Sequence, residues 1–124
     1  MVLSAQRAMT QTSVRPVVGV SVAGMLRNSP SSAGETVVGE EYEQASMIFG
    51  KIRDLIEAAG GVVDDVVKLT IFVTRIEHNT EVWRAREECF TGDFPACSLV
   101  EVSALAKPEM LVEIEAVAHI GCST

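Results

Sequence analysis

The stretch from Ala45 to Thr74, ASMIFGKIRDLIEAAGGVVDDVVKLTIFVT, changes its hydrophobic period once, and that change sets the class of fold. Ala45, Ile48, Phe49, Ile52, Leu55, Ile56 and Ala59 recur at helical spacing and form one apolar stripe, which predicts an amphipathic helix. Glu40, Glu41 and Glu43 stand in its opening turn, where the helix dipole favours negative charge. Gly60-Gly61 supplies the stop. From Val66 the period drops to two. Val67, Leu69, Ile71 and Val73 alternate with Lys68, Thr70, Phe72 and Thr74, the pattern of a strand buried mainly on one face. Gly50 inside the helix costs about 1 kcal/mol relative to Ala, so close packing of a neighbouring backbone is expected there. Gly50-Lys51 is not the tail of a phosphate loop, because the glycine five positions earlier is absent.

Outward from this block the signals are shorter. Gln11 to Gly24 is rich in Thr, Ser and Val and predicts extended structure, with Pro16 separating two short strands or lying on an edge. Asn28 to Gly34 is a loop by composition, and residues 1–9 read as a ragged, disordered start. Glu77 to Asn79 is a turn, and Thr80 is the expected N-cap of a second helix carrying Val82, Trp83, Arg86, Cys89 and Phe90. Thr91-Gly92-Asp93 ends it. Cys97–Ser103 and Met110–Ile120 read as strands split by Lys107-Pro108. Strands, helix, strand, helix, strands: the order is α+β, and residues 1–124 form a single domain without a repeat or linker.

With 124 residues, one domain is what the length predicts. Seventeen acidic residues against ten basic ones leave a net charge of −7, which repels phosphate backbones and speaks against nucleic acid as a partner. Mean hydropathy is nevertheless +0.27, and apolar surface hidden between subunits reconciles the two. The longest apolar run, Val17 to Leu26, is interrupted by Ser21 and is too short to span a membrane. Valine-rich and without a basic start at Met1, it reads as strand rather than leader. Cys89, Cys97 and Cys122 are odd in number and unpaired in spacing, so they read as reduced thiols of a cytoplasmic protein.

The last strand carries the chemistry. Val112, Ile114, Ala116, Ala118 and Ile120 share one face, while Glu113, Glu115, Val117 and His119 share the other. If that second face is covered, one of the two carboxylates can hold a raised pKa and shuttle a proton. The alternative is that both point to water or pair with Arg and Lys. In the preceding strand Cys97, Leu99 and Glu101 lie on one face. His119 and Cys122 do not match a zinc spacing, and no Gly-x-Ser-x-Gly elbow is present.

Three ordered motifs carry a resemblance. Ala58-Ala59-Gly60-Gly61 followed by Val63 to Thr74 resembles the central block of the Rid family, the reactive-intermediate deaminases also called YjgF-like or L-PSP proteins. Phe94-Pro95-Ala96-Cys97-Ser98-Leu99-Val100-Glu101-Val102 is similar to that family's stretch around P-A-R-S-x-V-x-V, and Leu111 to Ala118 to its closing V-E-I-E-A-x-A strand. The match runs over about residues 40 to 120, with Val22-Ala23-Gly24-Met25 standing where the family has V-S-G-Q.

The resemblance implies a chorismate-mutase-like single domain, a mixed β-sheet packed by two helices, assembled as a homotrimer with clefts between subunits. It implies hydrolysis of enamines and imines, such as 2-aminoacrylate, to a keto acid and ammonia, with no cofactor and no metal. By the same resemblance Glu113 is the catalytic carboxylate that places or activates water. The family's carboxylate-binding arginine falls at Cys97, its helix asparagine at Trp83, and its conserved-pattern glycine at Gly24. Gly24, Trp83 and Cys97 are therefore the expected substrate-binding positions. A thiol offers neither the charge nor the planar fork of arginine. The expectation is a divergent hydrolase whose cleft is not built for 2-aminoacrylate, with Arg15, Arg27, Arg84 or Lys107 as the replacement anchor. The alternative is a non-catalytic trimer that holds a small-molecule ligand or regulates a partner. Neither reading involves nucleic acid or a membrane.

Overall fold

The structure is a computed structural model and describes residues 17–23, 40–92 and 94–123. Its elements are β1 (Val17–Ala23), α1 (Glu40–Ala58), β2 (Val66–Val73), α2 (Asn79–Cys89), β3 (Ala96–Glu101) and β4 (Val112–His119). Single 3-10 turns at Val63–Asp65 and Ile76–His78 lead into β2 and α2. The segment before Pro16, the 28–34 loop and the 1–9 start lie outside the described residues. No described helix is long and apolar enough to cross a membrane.

The four strands form one mixed sheet in the order β1-β4-β2-β3. β2 and β3 run parallel, which requires a crossover, and α2 provides it. β4 runs antiparallel to both β1 and β2. α1 lies across β4 and β1 and packs beside α2. Ala45, Ile48, Phe49, Ile52 and Ile56 of its stripe are buried, as are Leu69, Ile71 and Val73 of β2 and Val112, Ile114, Ala116 and Ala118 of β4. Phe49 meets Phe90 edge to face, the ring centres 5.8 Å apart. No described element covers the other face of the sheet. It carries Val17, Gly19 and Ser21, Lys68, Thr70 and Phe72, Ser98 and Val100, and Glu113, Glu115, Val117 and His119.

The expected α+β class is therefore observed, with four local departures. Val67 was expected in the buried row, yet it is 43% exposed and Val66 takes the core position. The register shifts between Val66 and Lys68, so Val67 is the extra residue of a bulge and the alternation starts out of step. Leu55 lies at the edge of the stripe and is exposed. α2 begins at Asn79, one residue before the expected cap Thr80, and its N-cap His78 makes no side-chain capping bond. A Cβ on Gly50 would meet nothing within 4 Å, because the position opens into a recess of about 170 Å³ between α1 and α2.

Buried polar groups pin the ends of these elements. Gly60, at φ +93°, ends α1 in the left-handed conformation that favours glycine. At Gly61 a Cβ would stand 2.6 Å from Ile120 and 2.7 Å from Asp65, so the backbone passes where no side chain fits. Asp65 itself is buried and accepts from Val62 N at 3.0 Å, Ser123 N at 3.0 Å and Ser123 Oγ at 2.7 Å. Buried Gln44 clamps the loop before β4, donating to the Glu109 carbonyl and accepting from Leu111 N, both at 2.8 Å. Buried Glu41 accepts two bonds from Arg75, at 2.6 and 2.9 Å, with His78 Nδ1 at 3.2 Å. Its hydrogen bond to Arg75 holds that guanidinium above its ordinary range.

Burial alone would raise the Asp65 carboxyl, but bonds from Gly121, Val62 and Ser123 outweigh it and hold the group well below the ordinary carboxylate range. A carboxyl lowered in the folded state contributes stability above its unfolded value and loses it as pH falls toward the folded one. Asp65→Asn should cost about 1–3 kcal/mol at pH 7. It should also flatten the further loss of stability on acidification below about pH 4. Urea midpoints at pH 7 and pH 3 measure both effects, and an unchanged acid slope in the variant would contradict this account.

Candidate functional site

Two groups of the expected residues stand on opposite faces of the sheet. On the uncovered face, β4 projects Glu113 and Glu115 two residues apart. The register sets Glu113 between Ala23 of β1 and Phe72 of β2, and Glu115 between Ser21 and Thr70. Glu113 is half-buried and Glu115 exposed. Ser21 Oγ reaches across to donate to Glu113 Oε2 at 3.4 Å. Among the described residues neither carboxylate pairs with Arg or Lys. Glu113 therefore combines an apolar neighbour, a hydroxyl donor and an open side, which leaves an oxygen free to accept a proton.

On the helix-covered face, Cys97 of β3 pairs with Leu69 and is half-buried against the core. Arg86 of α2 comes down beside it. The guanidinium carbon lies over two aromatic faces, 4.5 Å from the ring centre of Trp83 and 4.6 Å from that of Phe94. Its Nε is buried and has no hydrogen-bond partner among the described residues. Burial pushes the Cys97 thiol up, and the neighbouring Arg86 charge offsets part of that shift. At neutral pH Cys97 is a thiol, not a thiolate.

Of the expected positions, Trp83 and Cys97 gather around Arg86. Glu113 does not join them, since it faces the other way from a strand two places along the sheet. Gly24 lies outside the described residues, as do Arg15 and Arg27. Arg84 is engaged elsewhere: it reaches Glu81 at 3.3 Å and lies 3.9 Å over the Tyr42 ring. Lys107 lines a recess of about 320 Å³ with Thr74, Leu105 and Met110, away from both groups. Arg86 was not among the candidate anchors. The signal that could have found it is its place three residues after Trp83, an arginine on the inward row of an amphipathic helix. No cluster of His, Cys, Asp or Glu among the described residues suits a metal ion.

The sequence profile described as Endoribonuclease L-PSP matches residues 4–120. The chain belongs to this family. A RutC family protein of Pyrococcus abyssi is 34% identical over 100 residues, covering 81% of this chain and 77% of its own. Among solved structures, a Pseudomonas aeruginosa protein of unknown function is 40% identical with a TM-score of 0.70, over 83% of this chain and 75% of that one. A Yersinia pestis member of the conserved Rid protein family is 32% identical with a TM-score of 0.69, over 84% and 80%. The YjgF gene product of E. coli gives 30% and 0.67, over 87% and 84%. The mixed sheet with two helices on one face is thus the architecture of this L-PSP and YjgF family.

Alkylation kinetics test the reading of Cys97. With iodoacetamide at pH 7, exposed Cys122 should be modified first, and half-buried Cys97 and buried Cys89 more slowly. The rate at Cys97 should climb only at alkaline pH. Peptide mass spectrometry at timed quenches reads each site, and a Cys97 that outpaces Cys122 at pH 7 would show a thiolate instead.

Proposed function

We propose that this chain is a divergent hydrolytic deaminase of the L-PSP family, acting on a small enamine or imine in a cleft between the subunits of a homotrimer. Glu113 carries the reading. It is a half-buried carboxylate on a sheet face that no described element covers, flanked by Phe72, with no cation neutralising it among the described residues. In the reaction a water adds its oxygen to the carbon of the C=N bond while Glu113 takes the proton. That proton passes to nitrogen, and as the carbinolamine collapses to a carbonyl its hydroxyl proton is carried to nitrogen as well, so that ammonia leaves. Glu113 ends in its starting ionisation state. No cofactor enters this balance. Within one chain Glu113 and Cys97 face opposite ways, so a cleft containing both draws them from two copies. The uncovered face, with Val17, Phe72, Val100 and Val117, is the surface through which copies would associate. RNA is not the substrate in this reading, given the net charge of −7. Cytoplasmic placement agrees with the three free cysteines.

The neutral thiol at Cys97, at the position where the resemblance puts an arginine, supports two further statements. The protein is an inefficient 2-aminoacrylate deaminase, and a non-catalytic ligand-binding or regulatory trimer is the second reading.

Ammonia release from freshly generated imines and enamines, 2-aminoacrylate among them, separates these. Glu113→Gln should lower turnover of the best substrate by about a hundred-fold or more, the usual worth of a general base, and Glu115→Gln by less than about ten-fold. Equal losses would reverse the assignment, and a protein inert toward the whole panel would favour the binding trimer. Sedimentation equilibrium should return three times 13.3 kDa at micromolar concentration. A stable monomer there would end the inter-subunit cleft.

A further inference from the structure

We propose that Arg86 is the anion anchor of the cleft, holding the carboxylate of a small planar acid against the wall made by Trp83, Phe94 and Cys97. The inference rests on the reading of the cleft as a ligand site, and it names the ligand's class and the residue that selects it. Among the described arginines, Arg75 and Arg84 reach carboxylates and Arg53 reaches the Cys89 sulfur at 3.6 Å. Arg86 reaches the Cys97 thiol, but its Nε has no hydrogen-bond acceptor among the described residues, although the chain carries seven more acidic than basic residues. Leaving a buried donor unmet is costly, so a guanidinium in this state is poised for an acceptor that arrives from outside.

The surroundings define that acceptor. Trp83 and Phe94 lie against the guanidinium and limit how it can turn, and a guanidinium presents its N–H groups as a planar fork. Such a fork matches the two oxygens of a carboxylate, and the amide of the same acid lacks the charge and one of the two acceptors. Phe94 is 45% exposed and Trp83 half-buried, which gives the ligand's carbon frame an apolar flank. The Cys97 thiol is small and uncharged where an arginine would crowd Arg86, so the two positions are complementary.

The test uses the full-length protein with crotonate, an unreactive planar acid, and crotonamide, its neutral counterpart. Trp83 is the single tryptophan and touches Arg86, so its fluorescence reports occupancy directly. Crotonate should perturb Trp83 emission saturably, and crotonamide should bind at least about ten-fold more weakly. Arg86→Gln should lower crotonate affinity by about ten-fold or more, and Arg86→Lys, which keeps the charge without the fork, by less. Circular dichroism checks that the variants fold, and the acid–amide comparison on the unmodified chain holds whether or not they do. Equal affinity for acid and amide, no crotonate binding at all, or indifference to Arg86→Gln would each overturn the proposal. Arg86-dependent crotonate binding without ammonia release would keep the anchor and remove the deaminase reading. Turnover insensitive to Arg86 would keep the deaminase and remove the anchor.

Discussion

α1 presses Ile48, Phe49, Ile52 and Ile56 onto one face of a four-stranded sheet, and the rest of the architecture follows from that one-sided contact. Each of those side chains contributes about 1.5–3 kcal/mol when fully buried, enough to fix which face of β2 and β4 turns inward. Because side chains alternate, fixing the inner face fixes the outer one. Glu113, Glu115 and Phe72 are therefore directed away from the helices by the same packing that buries Ile114 and Ile71. The face that bears the candidate carboxylate is a consequence of the core.

Polar groups make this two-layer arrangement specific. Asp65 ties the start of β2 to the chain end beyond β4, and Gln44 ties α1 to the loop that feeds β4. Glu41 binds Arg75 just after β2. All three acceptors are buried and fully engaged, which is the condition under which interior polar groups favour one arrangement over its alternatives. They brace the ends of β2 and β4, two of the strands whose register sets the surroundings of Glu113.

The two candidate groups differ in kind. Glu113 is a carboxylate with one hydroxyl donor, Ser21, among the described residues. Arg86 is sterically held, a cation fixed by two rings beside a thiol that burial keeps neutral. In a single chain the sheet keeps this carboxylate and this guanidinium on opposite faces.

The sequence by itself determined the elements that are written in consecutive residues. The period of 3.6 over Ala45 to Ile56, the alternation of Val112, Ile114, Ala116 and Ala118, and the Gly60-Gly61 stop all depend on local spacing, and all stand in the structure. That Glu113 lies on the face opposite Ile114 was legible too, from its place in an alternating strand. The bulge at Val67 was not, because it arises from how β2 meets β4 rather than from β2 alone. Nor was the meeting of Trp83, Arg86, Phe94 and Cys97, which the parallel crossover from β2 through α2 to β3 brings about. Only the tertiary structure decided that Cys97 and Glu113 face opposite ways. Parity along one strand is a property of its residues, whereas parity between strands is set by the register of their hydrogen bonds.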